Sequence, residues 1–306
     1  MQEKAGTGGE LVPPEGGRRQ RTVARPVALE GVGLHTGLPA RMKILPAGAG
    51  EGILFCRTDR PEKPPVPADP EHLVAGRRCT ALGWGTEEAV QTVEHLLAAL
   101  RGLEVDNARV ELDGPEVPAG DGSAAVYVRL LEEDGLVELP EPRRWLRLRQ
   151  PLAVSAGEAH LVALPAEELR VTYVFVSSHP AVGTQYADWR IDPETFRREI
   201  APARTVGFLE EVEALRRQGL ARGATAELAV VIGPRGYLGP LRFPDEVARH
   251  KVLDVVGDLA LAGFLRAHVI ALRSGHALNA ALARKIREGL QSGAVREEGG
   301  GGEGES

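Results

Sequence analysis

The chain has 306 residues, 43% of them hydrophobic, with a formal net charge of -6 and a pI near 5.8. That length and apolar content are ample for packed cores and favour two domains, whereas the acidic balance and the lack of a basic stripe with interleaved aromatics exclude a nucleic-acid binder. Two cysteines, Cys56 and Cys79, are too few for a disulfide framework or a thiolate zinc site, so a reducing, cytoplasmic setting is expected.

Residues 1–20 are rich in glycine and charge, lack an apolar signal-peptide core and read as a disordered lead; no later run is long enough to span a bilayer, so no integral membrane segment is expected. Between Thr22 and Leu45 apolar and polar residues alternate around the turn GVGLHTG at 31–37, the pattern of a hairpin followed by another strand. A strand is expected at Gly52 to Arg57, an irregular proline-rich loop at 61–70 and another strand at Cys79 to Gly83. Thr92 then caps a helix from Val93 to about Leu100, with Gly102 at its end and the pair Glu94-His95 in its first turn. A strand follows at Asn107 to Leu112, then the glycine-containing loop 114–125, which opens a second helix.

Pro140 to Arg144 reads as a linker. Strands are expected beyond it at Trp145 to Pro151, His160 to Leu164 and Leu169 to Ser177, with a helix at 193–201 and a strand at Glu227 to Ile232. The stretch from Phe243 to Gly263 reads as one helix with an acidic first turn. His250, Asp254 and Asp258 are spaced by four and so share one face of an otherwise apolar cylinder. A strand at Ala267 to Leu272, the loop Ser274-Gly275-His276 and a helix from about Leu278 to Leu290 complete the order. From about Ala294 the tail reads as unstructured.

Each half thus repeats helix, strand, glycine-containing loop and helix. The expected architecture is α+β: two similar domains, 21–140 and 145–291, each a β-sheet with a helix pair, the helices sandwiched between the two sheets. Residues 294–306 form the expected tail.

Ionisable groups in a row on an apolar helix are costly unless compensated, and a divalent metal would compensate them. His250 and Asp254 offer two ligands one turn apart, and His95 offers a third, the usual protein share of a catalytic zinc. Glu94 diverges from its neighbour His95 by about 100° around the helix, which leaves it free to act as a base. His276 could supply an acid, Asp258 could orient it, and Lys251 and Thr205 could hold an oxyanion or a phosphate. By spacing alone a metal hydrolase fits only somewhat better than a reading of these groups as solvent-facing charges, a cap and a half-buried histidine.

The runs GVGLHTG, TVEHLLAALRGLEVDN, PEVPAGDGSAA, ARTVGF, RHKVLDVVGDL and SGHALN, in unbroken order from Gln20 to Gly289, resemble the zinc-dependent UDP-3-O-acyl-N-acetylglucosamine deacetylases of lipid A biosynthesis. The resemblance implies Zn2+ held by His95, His250 and Asp254, with Glu94 as general base and His276 as general acid paired to Asp258. Thr205 and Lys251 would stabilise the oxyanion and contact substrate.

It also implies an insert at about 205–233 that lines an apolar passage for a fatty acyl chain, with Phe208, Val206, Leu209, Val212, Leu215 and Leu220 on the substrate. At Val206 the family more often carries an aromatic residue, which implies a looser fit to the hexosamine. The implied reaction releases acetate from a UDP-activated acylated glucosamine. The alternative is a zinc amidase acting on another acylated or peptide substrate. The implied protein is a cytoplasmic monomer with transient membrane association at most.

Overall fold

The computed structural model describes residues 18–76, 78–225 and 227–299. They form a mixed α+β fold, as the sequence leads one to expect. A five-stranded sheet draws on the first part of the chain, in the spatial order Val27–Val32, Pro39–Leu45, Ala108–Leu112, Ile53–Arg57, Val66–Pro67. A seven-stranded sheet draws on residues 145–298 and is centred on Phe264–Leu272. That strand runs parallel to Trp145–Leu148 through its first three residues. Through its remainder it lies between antiparallel Ala159–Pro165 and parallel Arg170–Val176. Its inward positions Leu265, Ala267, Val269 and Ala271 are all buried while their neighbours are not, the period-two pattern of a sheet with one covered face.

Two helices meet in the middle of the molecule. Glu94–Gly102 is buried along its whole length, and Glu246–Ala260 buries every residue except Arg249, Lys251 and Ala260. The second helix also packs on Arg170–Val176 and on the long helix His276–Ser292. The apolar core is continuous across these layers, from Val23 to Val295. Gly257 sets how closely the two central helices approach, since a Cβ there would lie 2.1 Å from the backbone oxygen of Glu94.

Several expectations need correction. The lead expected over 1–20 lies largely outside the described residues, but its last two residues belong to the strand Arg19–Val23, which pairs with Leu136–Pro142. The segment expected to be a linker therefore contributes a strand up to Pro142. The next residue, Arg143, is fully buried, held by Asp106 and the Glu104 carbonyl. The tail is likewise ordered at its start: Val295–Glu298 pairs antiparallel with Trp145–Leu148, and Val295 is buried.

The strands Leu152–Ala156 and Thr184–Arg190 were not expected. Both lie at the margins of the seven-stranded sheet, where polar residues replace a full apolar alternation. Thr92 is not a cap either. Its φ of +59° is left-handed, so its hydroxyl reaches Glu116 at 2.7 Å, and the helix starts from Val93 without a side-chain cap.

Candidate active site

A cavity of about 890 Å³ opens beside the crossing of the two central helices. Glu94 and His95 reach it from one helix, His250, Lys251 and Asp254 from the other, and His276 from the first turn of the third. The Nε2 atoms of His250 and His95 lie 3.3 and 3.9 Å from Asp254 Oδ1, and one ligand atom from each of the three residues falls within 4.8 Å of the others. All three side chains are buried.

His250 Nδ1–H donates to the Ala203 carbonyl at 3.1 Å, which leaves its Nε2 lone pair facing Asp254. Asp254 Oδ1 is buried and receives no hydrogen bond. Two imidazole nitrogens and a carboxylate oxygen thus converge on one buried point, an arrangement that a bound cation would relieve. The donor set, two nitrogens and one carboxylate oxygen, suits zinc.

The protonation states agree with that reading. Burial, aided by the neighbouring His250, pushes His95 down to about 3, so it is neutral and able to ligate. Burial works against ionisation of Asp254, yet His250, Lys251 and His276 hold its carboxyl far below the ordinary range. The second oxygen of Asp254 accepts from Lys251 Nζ at 2.7 Å. Burial opposes the Lys251 ammonium, but Asp254 and Tyr173 outweigh it, so the lysine stays charged.

On the other side of the triad, burial raises Glu94 to about 7 despite the pull of His276, whose Nε2 is 3.7 Å from Glu94 Oε1. The Thr80 backbone N–H donates to Glu94 Oε2 at 3.0 Å. Burial opposes charge on His276, but Asp258, Glu94 and Asp254 together lift it to about 10. His276 Nδ1–H donates to Asp258 Oδ2 at 2.9 Å, and Asp258 is fully buried, its remaining acceptor capacity taken by Asn279 at 2.8 Å and by the Thr80 hydroxyl.

The sequence reading did not single out Thr80, Asn279, Glu116 or the Ala203 carbonyl. Asn279 lies one turn beyond His276 on the same helix, a signal that was available in the spacing. Thr80 is brought in from 178 residues away and has no such signal.

Beside Leu209–Arg217 the cavity is lined by the apolar Val206, Phe208, Val212 and Leu215, together with Glu211. Thr205 also lines the cavity, whereas Leu209 and Leu220 lie outside the lining. No residue of the Leu209–Arg217 helix is fully buried, and its Val212 and Leu215 face a space that an apolar ligand would fill.

Residues 20–288 match the family model described as LpxC: UDP-3-O-acyl N-acetylglycosamine deacetylase. The chain belongs to the UDP-3-O-acyl N-acetylglycosamine deacetylase family. A protein named UDP-3-O-acyl-N-acetylglucosamine deacetylase from Nostoc sp. (strain PCC 7120) is 43% identical over 275 residues, covering 88% of this chain and 98% of its own. A protein of the same name from Myxococcus xanthus is 43% identical over 270 residues, covering 87% and 86%, and another from Syntrophotalea carbinolica is 42% identical over 270 residues, covering 87% of each chain. The matched span takes in every polar side chain described around the cavity, so this deacetylase family is the frame in which the site is to be read.

Proposed function

We propose that the chain hydrolyses the N-acetyl group of UDP-3-O-acyl-N-acetylglucosamine, releasing acetate and freeing the amine, as a zinc-dependent step of lipid A synthesis. The observation that carries this reading is the convergence of His95, His250 and Asp254 on one buried point, flanked by Glu94 and His276, in a chain of this family.

His95, His250 and Asp254 would hold the ion. When bound, zinc supplies a Lewis acid that polarises the amide carbonyl and acidifies water. Glu94, raised to about 7 by burial, takes the proton of the attacking water. Thr205 and Lys251 face the same space and stabilise charge developing on the carbonyl oxygen. His276, kept protonated by Asp258, delivers a proton to the leaving nitrogen as the C–N bond breaks. Water oxygen ends on acetate and the amine gains the proton, so the step balances.

The apolar part of the lining, Val206, Phe208, Val212 and Leu215, would receive the 3-O-acyl chain. This lining favours an acylated sugar over a peptide. The separate origins of the two large sheets support a division into domains 21–140 and 145–291, with the ligands drawn from both. The chain would work as a cytoplasmic monomer with at most transient membrane contact. The water-soluble nucleotide sugar and two buried, unpaired cysteines support that setting.

The test is turnover of acylated and deacylated UDP-N-acetylglucosamine by the zinc-loaded protein. Deacetylation that prefers the acylated sugar, is abolished by chelation and returns with zinc is expected. Glu94→Gln should retain zinc while losing about 10²–10⁴-fold in kcat, the usual contribution of a general base. Full activity in the chelated protein, or in His250→Ala, would refute the mechanism.

A further inference from the structure

Behind the cavity, and outside its lining, Arg204 and Glu246 form a buried ion pair. Glu246 is 0% exposed and Arg204 8%. Arg204 Nε donates to Glu246 Oε1 at 2.9 Å and Nη2 to Oε2 at 3.1 Å, while the backbone N–H groups of Arg204 and Arg242 donate to the same two oxygens at 3.1 and 2.7 Å. Arg204 Nη2 also donates to the Pro240 carbonyl at 2.8 Å.

The neighbours of this pair are functional on both sides. Glu246 lies one helical turn before His250. Arg204 lies between Ala203, whose carbonyl orients His250, and Thr205, which faces the cavity. A buried ion pair is a poor way to add stability, because apolar side chains of similar volume serve as well or better. A bidentate pair does fix distance and angle between two segments. We infer that Arg204 and Glu246 are positioning residues, which hold the Ala203–Thr205 segment against the first turn of the His250 helix. They thereby set both the ring orientation of His250 and the aim of Thr205. The inference rests on the reading of the site given above, and it adds two residues that touch neither substrate nor metal.

The experiment compares wild type, Glu246→Gln and Arg204→Lys, each checked for folding by thermal melting. Glu246→Gln keeps the shape but weakens the charge pairing; Arg204→Lys keeps the charge but cannot form the fork. Zinc affinity of the apo proteins is expected to fall by about 10-fold or more, as when the partner orienting a ligating histidine is disturbed. The visible absorption of the cobalt(II)-substituted proteins should change at the same time. In the zinc-saturated enzymes kcat should fall by about 10–100-fold with KM within about twofold of wild type, because small displacements of a reacting group act on the chemical step.

If both variants fold, bind zinc and cobalt as wild type does and keep kcat within about threefold, the pair is only a structural strut and the inference is overturned. Should Glu246→Gln not fold, Arg204→Lys decides; failure of both to fold also overturns it, because the pair would then determine the fold and not the site. A wild type without deacetylase activity would refute the proposed function alone, since the zinc and cobalt measurements require no substrate.

Discussion

Asp258 is absent from the cavity lining, yet it governs the charge of His276, the acid of the proposed mechanism. It is fully buried, accepts from His276 Nδ1 at 2.9 Å, and is the largest of the influences that raise His276 to about 10. It also contributes to raising Glu94 to about 7. The proposed mechanism needs Glu94 deprotonated and His276 protonated, so activity should rise with pH through the first titration and fall through the second. Removing the Asp258 charge lowers both, the second by more. For Asp258→Asn the alkaline limb of kcat/KM is therefore expected to move to lower pH by on the order of one unit or more, with a smaller shift of the acid limb in the same direction. A profile measured from about pH 6 to 10 checks this, and an unmoved alkaline limb would remove His276 from the role of acid. The spacing of His250, Asp254 and Asp258 was legible because one helix carries all three. The groups that complete their bonding, Thr80 and the Ala203 carbonyl, were not, because a hydroxyl and a backbone oxygen carry no pattern that marks them in a sequence.

The crossing of Glu94–Gly102 with Glu246–Ala260 brings the proposed ligands His95, His250 and Asp254 together, and Gly257 is its contact point. A methyl group there meets backbone, the Glu94 oxygen at 2.1 Å, which cannot rotate away as a side chain would. Gly257→Ala is expected to force the helices apart and cost about 1–3 kcal/mol of stability, beyond any gain in helix propensity. Zinc affinity should fall with it, because His95 and Asp254 sit on opposite sides of the crossing. Thermal melting and a zinc competition assay read the two effects; an unchanged affinity would mean that the spacing is set elsewhere.

The Leu209–Arg217 helix behaves in the opposite way, since none of its residues is fully buried. Leu215→Glu should leave the melting temperature near wild type. It should raise KM for the acylated substrate by about 10-fold or more, the scale of one lost leucine contact. Deacylated substrate should show no such change. Helices were the more legible elements because their apolar faces and end signals are strong. The strands at Leu152–Ala156, Thr184–Arg190 and Val295–Glu298 were missed for want of alternation, their order coming from partners that only the assembled sheet supplies.

For the molecule as a whole, the proposed metal site sits where chain drawn from residues before and after Arg143 meets. His95 follows strands of the five-stranded sheet, and His250 and Asp254 lie on a helix packed against the seven-stranded one. The repeated helix–strand–loop–helix rhythm predicted such a meeting, but the ordered segment Leu136–Pro142 and the buried Arg143 show that the connection is itself packed. An ion held from both sides can bind only when the two are docked, so its binding energy becomes folding energy of the entire chain. Without it, Asp254 Oδ1 stays buried and unpartnered beside His95 and His250, and the crossing is the place where the apo protein should loosen first. The zinc-loaded protein is expected to melt several degrees above the chelated one, about 2.7 kcal/mol being gained when free zinc is 100 times its Kd. Most of that gap should vanish in His95→Ala, although His250 and Asp254 remain one turn apart on a single helix. Calorimetry of both proteins with and without zinc measures it. If His95→Ala kept the full zinc-dependent rise, the ion would be held by the His250 helix alone, and the docking of the two parts would not depend on it.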